Sequence, residues 1–370
     1  MKLTIAKEQL LTGLQAVQNV VGSRTTLPIL SNVLLRAVSS RLELTATDLD
    51  VTIACSVPAN VEGEGAVTLP VKKLFGLVRE LVASEVELEV DDKSVASLRS
   101  GASFFKINGL AAEDFPPPPT FKQSRAVTLP QEKLKAMLRR TAFAVSSDES
   151  RYVLNGIFFS LKDHKFTLVA TDGRRLAMSD EEVEVPAESF GEFIVPTKAI
   201  NELNRLLATG NVELMFSENQ VGFTLQPASE GGLGVYVVSK LVDGNYPNYR
   251  QVIPQGVQER VAIPREEFLQ CLRRAEIMTN DKQNSVKLSF GKNQLAITAN
   301  TPEVGEARDV LSVNYKGRDM SIAFNPGYLM DPLRALDNDE IFFELIDELS
   351  PGVIKCSEPF LYVIMPMRMS

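Results

Sequence analysis

Tryptophan is absent from this 370-residue chain, histidine occurs once and cysteine three times. The lone histidine, His164, sits in LKDHKF between two strand patterns, where it reads as part of a solvated hairpin turn. Cys55, Cys271 and Cys356 are odd in number, far apart and set in apolar patterns, so neither a disulfide framework nor a CxxC metal site is indicated. Plain buried thiols are expected, with no metal and no cofactor. No apolar run approaches the roughly 20 residues of a membrane span. The start, MKLTIAKEQL, lacks the apolar core of a secretory signal, so a cytoplasmic chain with no membrane partner is expected. No glycine loop follows the Walker or dinucleotide spacing, and Gly231, Gly232 and Gly234 in ASEGGLGVYVV read as a hairpin connection. The net charge of −8 also lacks the basic surplus that holds an ordinary nucleic-acid binder to its ligand.

What is present is repetition. LELTATDLD at Leu42, FTLVATDGRRL at Phe166 and LAITANTPE at Leu295 put Ala46, Ala170 and Ala299 in register, at offsets of 124 and 129 residues. Upstream of each lies a helical stripe with apolar spacings of four and three: Leu10, Leu14, Val17; Leu134, Leu138, Thr141; Phe268, Leu272, Ala275. Downstream lies a second helix, opened by Pro70, Pro196 or Asn325, with Leu74, Leu77, Leu81 answered by Ile200, Leu203, Leu207. The period is far longer than the roughly 20 to 50 residues of a solenoid unit, so each copy must bury its own core. The reading is an α+β chain of three tandem copies, 1–122, 123–254 and 255–370. Asp114–Thr120, DFPPPPT, forms a stiff connector after the first copy, and Asp243–Pro254 is its counterpart after the second. In the last helix Pro332 removes one hydrogen bond, so that helix either starts late or kinks.

Catalysis finds little support. Asp172 in ATDGRRL is flanked by arginines that could hold a carboxylate in an electropositive site. Asp48 occupies the same place in the first copy without them, and a strand-ending turn explains both, so no catalytic residue is assigned. The charge is unevenly spread: the six helical stretches carry about +5 and the remainder about −13. Either the helices turn basic faces toward a polyanion while the sheets face water, or these are solvated helix faces.

From MKLTIAKEQLL through TLPILSNVLL, LTATDLD, RYVLNGIFF, LVATDGRRLA and VSKLVDGNYPNYRQVIP to YVIMPMRM, the whole chain resembles the bacterial β sliding clamp family, the DNA polymerase III β subunit. The resemblance implies a processivity factor for DNA replication, not an enzyme. It implies clamp domains with inner helices and outer antiparallel sheets, and two chains joined head to tail in a ring around duplex DNA, bound without sequence preference. The partners implied are the replicative polymerase catalytic subunit, a clamp loader, and other polymerases and repair proteins that dock through short linear motifs. A clamp paralogue with an altered partner cleft, a specialised or self-resistance copy, is the alternative.

Carried over position by position, the resemblance implies DNA contacts at Arg24 and Tyr152, with Val153 standing where a second tyrosine often occurs. The helix cations Lys72, Lys73, Arg79, Lys133, Arg139, Arg140, Lys198, Arg205, Arg273 and Arg274 join them as DNA-facing residues. A partner cleft is implied at Leu154, Thr171, Gly173, Arg174, Arg175, Leu176, Pro247, Val252, Tyr328, Val363, Ile364, Met365, Pro366, Met367 and Arg368. Methionine suits an adaptable peptide-binding wall, although the same VIMPMRM stretch also reads as a last core strand. Arg174 replaces a common histidine and Gln251 a common arginine, which leaves the motif preference open. The dimer contact is expected to join Lys73 and Leu74 of one chain to Ile277 and Met278 of another through exposed strand edges.

Overall fold

The computed structural model describes every residue except 23–26, 122–124, 163, 184–189, 230, 281–283 and 369–370. The first copy runs β1 (Lys2–Ala6), α1 (Lys7–Val17), β2 (Asn32–Val38), β3 (Arg41–Thr47), β4 (Val51–Pro58), a short β5 (Asn60–Gly63), β6 (Gly65–Pro70), α2 (Val71–Glu80), β7 (Glu85–Val90), β8 (Val95–Ser100) and β9 (Ser103–Asn108). The second repeats the order without the short strand: β10 (Arg125–Pro130), α3 (Gln131–Thr141), β11 (Gly156–Lys162), β12 (Lys165–Thr171), β13 (Arg175–Glu182), β14 (Gly191–Pro196), α4 (Thr197–Leu206), β15 (Gly210–Phe216), β16 (Gln220–Pro227) and β17 (Val235–Lys240). The third follows suit: β18 (Glu259–Pro264), α5 (Arg265–Glu276), β19 (Val286–Gly291), β20 (Gln294–Thr301), β21 (Gly305–Ser312), β22 (Met320–Phe324), α6 (Pro326–Ala335), β23 (Glu340–Leu345), β24 (Gly352–Lys355) and β25 (Phe360–Ile364).

Packing does not follow these copies one by one. The chain forms two compact units, Met1–Lys135 with Lys198–Leu241, and Ala136–Thr197 with Val242–Ser370. In the first unit an eight-stranded sheet, β10-β15-β16-β17-β4-β3-β2-β6, crosses from the second copy to the first where β17 pairs antiparallel with β4, Val235 opposite Cys55 through Ser239 opposite Val51. The second unit repeats the device: β14-β11-β12-β13-β25-β24-β23-β18 is continuous because β13 pairs with β25, Arg175 opposite Ile364 through Ser179 opposite Phe360. Each unit holds one further sheet, β5-β1-β7-β8-β9 in the first and β21-β20-β19-β22 in the second.

The apolar patterns account for the cores. Ala46, Ala170 and Ala299 are buried on equivalent strands, and the spaced residues of the first helices point inward. α1 lies so close to its sheet that a Cβ at Gly13 would stand 3.0 Å from Leu44, so glycine permits the approach. Each copy also ties its two helices by a cation. Lys7 donates to Leu81 O, Lys135 to Leu207 O at 2.7 Å, and Arg265 to Leu333 O and Asn338 O at 2.8 and 2.7 Å. These bonds reach carbonyls at or just beyond the end of the second helix, where helical donors run out.

Pro332 neither delays α6 nor stops it. The helix begins at Pro326, capped by the Asn325 side chain on Tyr328 N at 3.1 Å, and runs through Pro332. The missing amide leaves Tyr328 O without its helical donor, and the buried Tyr362 hydroxyl supplies one at 2.7 Å. Of the thiols, Cys55 and Cys271 are buried, but Cys356, just past the end of β24, is only part-buried.

Candidate functional site

At the β13–β25 seam, a turn built by Thr171 and Asp172 precedes Arg175. Thr171 Oγ1 donates to Arg175 O at 2.5 Å and accepts from Gly173 N at 3.0 Å, while Asp172 Oδ1 accepts from Arg174 N and Arg175 N at 2.9 and 3.1 Å. Gly173 has φ +86°, a left-handed conformation that favours glycine. Asp172 is therefore occupied in shaping the turn, in keeping with the turn reading of ATDG.

Arg175 is the hub of the seam. Its Nε donates to Asp172 Oδ2 at 3.0 Å, Nη1 to Asp331 Oδ2 at 2.5 Å and Nη2 to Phe143 O at 2.6 Å. The guanidinium lies 4.3 Å from the Tyr328 ring centre. Burial opposes its charge, but Tyr362 together with the carboxylates of Asp331 and Asp172 outweighs that and raises its pKa above the usual arginine value. Arg175 thus braces α6 against the turn.

Around it, Leu176 and Val363 belong to a buried cluster with Val169, Tyr249 and Val353, against which Phe158, Met178, Tyr246, Ile253 and Leu361 pack. Met365, Met367, Arg368, Pro247, Val252, Gly173 and Arg174 are exposed beside this cluster, with Thr171, Tyr328 and Pro366 part-buried. Met365 N donates to Arg174 O at 3.0 Å and Met367 N to Ala323 O at 2.7 Å, so the backbone fixes both methionines while leaving their side chains 44% and 40% exposed. Leu154 closes a 3-10 turn and is buried. Ile364 is also buried and, by strand alternation, points to the sheet face opposite Val363. Sequence reasoning overlooked Asp331, Phe143 and Tyr246, whose ring stacks on Phe158 with centres 4.9 Å apart. The NYPNY stretch held the signal: by sequence it reads as a spacer that lends only Pro247 to the cleft, whereas Tyr249 within it is buried.

The helix cations divide into two groups. Lys72, Lys73 and Arg273 are exposed and make no ion pair among the described residues. Tyr152 is exposed too, and Lys133 is exposed but, like the cations that follow, has an interaction within the chain. The others are engaged within the chain: Arg79 with Glu80 at 2.9 Å, Arg139 with Asp337 (Nη1 to Oδ1, 3.1 Å), Lys198 with Asp48, Arg205 with Glu202 at 2.6 Å, and Arg274 with Asp309 at 2.6 Å. Arg205 also donates to Gln15 O and Ala16 O at 2.9 and 2.6 Å, and the part-buried Arg140 stands 3.6 Å from Glu358. Counting charges along a sequence cannot show these pairings. Arg24 lies outside the described residues.

Models of the DNA polymerase III beta subunit match the chain end to end: its N-terminal domain at residues 1–119, its central domain at 128–248 and its C-terminal domain at 250–368. The beta sliding clamps of Escherichia coli K12 and Chlamydia trachomatis are each 36% identical over 375 and 369 residues; both alignments span 100% of this chain, with 100% and 87% of the relative. A crystal structure of a sliding clamp from Bartonella birtlesii bound to griselimycin superposes with a TM-score of 0.93 at 37% identity, covering 100% of both chains. The chain belongs to the β sliding clamp family.

In this clamp, the turn at the first seam copies the one at the second bond for bond. Thr47 Oγ1 donates to Val51 O at 3.1 Å and accepts from Leu49 N at 3.1 Å; Asp48 Oδ1 accepts from Asp50 N and Val51 N at 3.1 and 2.8 Å. Lys240 N donates to Asp50 O at 2.9 Å, as Met365 N does to Arg174 O. The side chains differ: Leu49 holds φ +80° where the second turn has Gly173, and Val51 stands where Arg175 braces. Among the sheet-edge strands are β9, with Phe104 exposed, and β21, with Val310 exposed. Near β21, Ile277 is exposed and Met278 part-buried; on α2, Lys73 is exposed but Leu74 fills the core, so α2 presents only Lys73 of that pair. No helix among the described residues is long and apolar enough to cross a membrane, and no group of three or more His, Cys, Asp or Glu among them could hold a metal ion.

Proposed function

We propose that two copies of this clamp close head to tail into a ring around duplex DNA, and that the ring tethers the replicative polymerase during processive synthesis. One observation carries the reading: twice in the chain, the last strand of one copy pairs with the strand after the TD turn of the copy before it, β17 with β4 and β25 with β13. The strands left over by that rule are β9 and β21, both on sheet edges. An exposed edge is a template for pairing with another chain, and β9 of one protomer against β21 of its partner would continue the pattern. A ring held on DNA by topology needs few phosphate contacts, which suits a chain of net charge −8. Lys72, Lys73, Lys133 and Arg273 would face the duplex, with Tyr152 beside it.

The groove beside Leu176, with Met365 and Met367 on one wall and Pro247 on the other, would receive short linear motifs from the polymerase catalytic subunit, the clamp loader, other polymerases and repair proteins. The clamp itself is read as non-catalytic and cytoplasmic. Sedimentation at micromolar concentration should give twice the chain mass. Protein loaded on a closed DNA circle should survive moderate salt and leave when the circle is cut, and equal retention on cut and uncut DNA would refute the ring.

A further inference from the structure

We infer that Asp48 and Asp337 are tethers that set the sliding friction of the clamp: each holds one inner-helix cation, Lys198 or Arg139, so that a DNA phosphate can engage it only by exchange with a carboxylate. The inference rests on the ring reading above. Lys198 on α4 pairs with Asp48, and Arg139 on α3 with Asp337 through two parallel contacts, the longer 3.1 Å. Neither cation is buried by its partner; the side chains of Lys198 and Arg139 remain 42% and 44% exposed. Exposed pairs of this kind contribute little to folding, yet both residues stand where a fully charged lining was expected.

The physical argument concerns rate as well as affinity. A free cation beside a phosphate makes a contact that must break at each step along the duplex, and every such contact adds to salt-dependent binding. A cation already neutralised by a carboxylate offers a neighbouring phosphate only the difference between two similar ion pairs. The helix keeps enough local positive potential to repel no DNA, while no single phosphate is held. The same acids would disfavour direct binding to linear DNA, leaving topology as the means of retention.

The test uses the full-length clamp with Asp48→Asn, Asp337→Asn and the double substitution, and Asp337→Glu as the conservative control. Two chains carry four such pairs, so the double variant should steepen the slope of log affinity for a short duplex against log salt by about 3 to 4. It should also bind that duplex at least tenfold tighter at low salt and diffuse several-fold more slowly on stretched DNA. Asp337→Glu should behave as the unaltered protein. Because Asp337 is 77% exposed, its single substitution cannot fail through folding, and it alone should give about half the change in slope. Unchanged slope and diffusion in variants of unchanged melting temperature would overturn the proposal, and so would a loss of melting temperature with no change in slope, which would make the acids structural staples. If the unaltered protein itself is not retained on closed circles, it is the ring reading that fails.

Discussion

The hydroxyl of Tyr362 takes the place of the amide that Pro332 lacks. It donates to Tyr328 O across 2.7 Å, linking the last strand to the last helix at the point where a proline would otherwise strand a carbonyl. Tyr362→Phe should therefore destabilise the protein by about 1 to 3 kcal/mol, the penalty for a buried polar group left alone. In a Pro332→Ala background, which restores the amide, the same substitution should be milder by about 1 kcal/mol. Denaturant unfolding of the four proteins would show this coupling; strictly additive effects would mean the hydroxyl does not substitute for the amide.

The two matching turns make predictions of opposite sign. Leu49 pays for a left-handed conformation that Gly173 adopts freely, and it is exposed. Leu49→Gly should be neutral or stabilising by up to about 1 kcal/mol, whereas Gly173→Ala should destabilise by about 1 to 2 kcal/mol, since its Cβ would also meet Arg151 at 2.8 Å. Melting temperatures moving in the same direction for both would contradict the equivalence.

Arg175→Ala should be the most damaging change near the groove. It strips partners from Asp172 and Asp331 and from Phe143 O, all part of one part-buried arrangement. Removing one member of such a network costs about 3 to 5 kcal/mol, readable as a large fall in unfolding midpoint.

By contrast, Met365→Ala with Met367→Ala should leave melting temperature and dimer mass nearly unchanged, because both side chains are exposed. Peptide binding and polymerase stimulation should drop about thirtyfold or more, the effect of about 2 kcal/mol at an interface anchor. Unfolding of the double variant would make these methionines core.

The thiols offer a pH test. Burial pushes Cys55 up to about 12 and Cys356 up to about 11, so at neutral pH Cys356 should alkylate about a hundredfold and Cys55 about a thousandfold more slowly than a free cysteine. Because the folded values are raised above the ordinary 9.0, the stability they contribute is fully present below pH 9 and fades as pH rises toward 11 and 12. Mass spectrometry after iodoacetamide treatment across this range would decide, and fast labelling of Cys356 at pH 7.5 would count against it.

The sequence made some of this legible for a physical reason: apolar periodicity reports burial. Leu10, Leu14, Phe268 and Leu272 occupy the helix interiors that their spacing implied, and Ala46, Ala170 and Ala299 fall on equivalent buried strands. Pairings between distant residues leave no such trace. Nothing local to Lys198 announces Asp48, 150 residues away, and nothing in GYLMDPLRAL announces that Tyr362 would complete its helix. Leu74 shows the limit from the other side: its helical position made it a core residue, while the resemblance alone placed it at a surface.

The two sheets that cross from copy to copy separate covalent from mechanical continuity. Five backbone partners join β17 to β4, so the proline tract from Pro116 to Pro119 is not what holds the first two copies together. A protease cut in that tract would turn one polypeptide into two that still elute as a single species and come apart only when the sheet itself melts. The prolines make the two copies one polypeptide, and the sheet makes them one body.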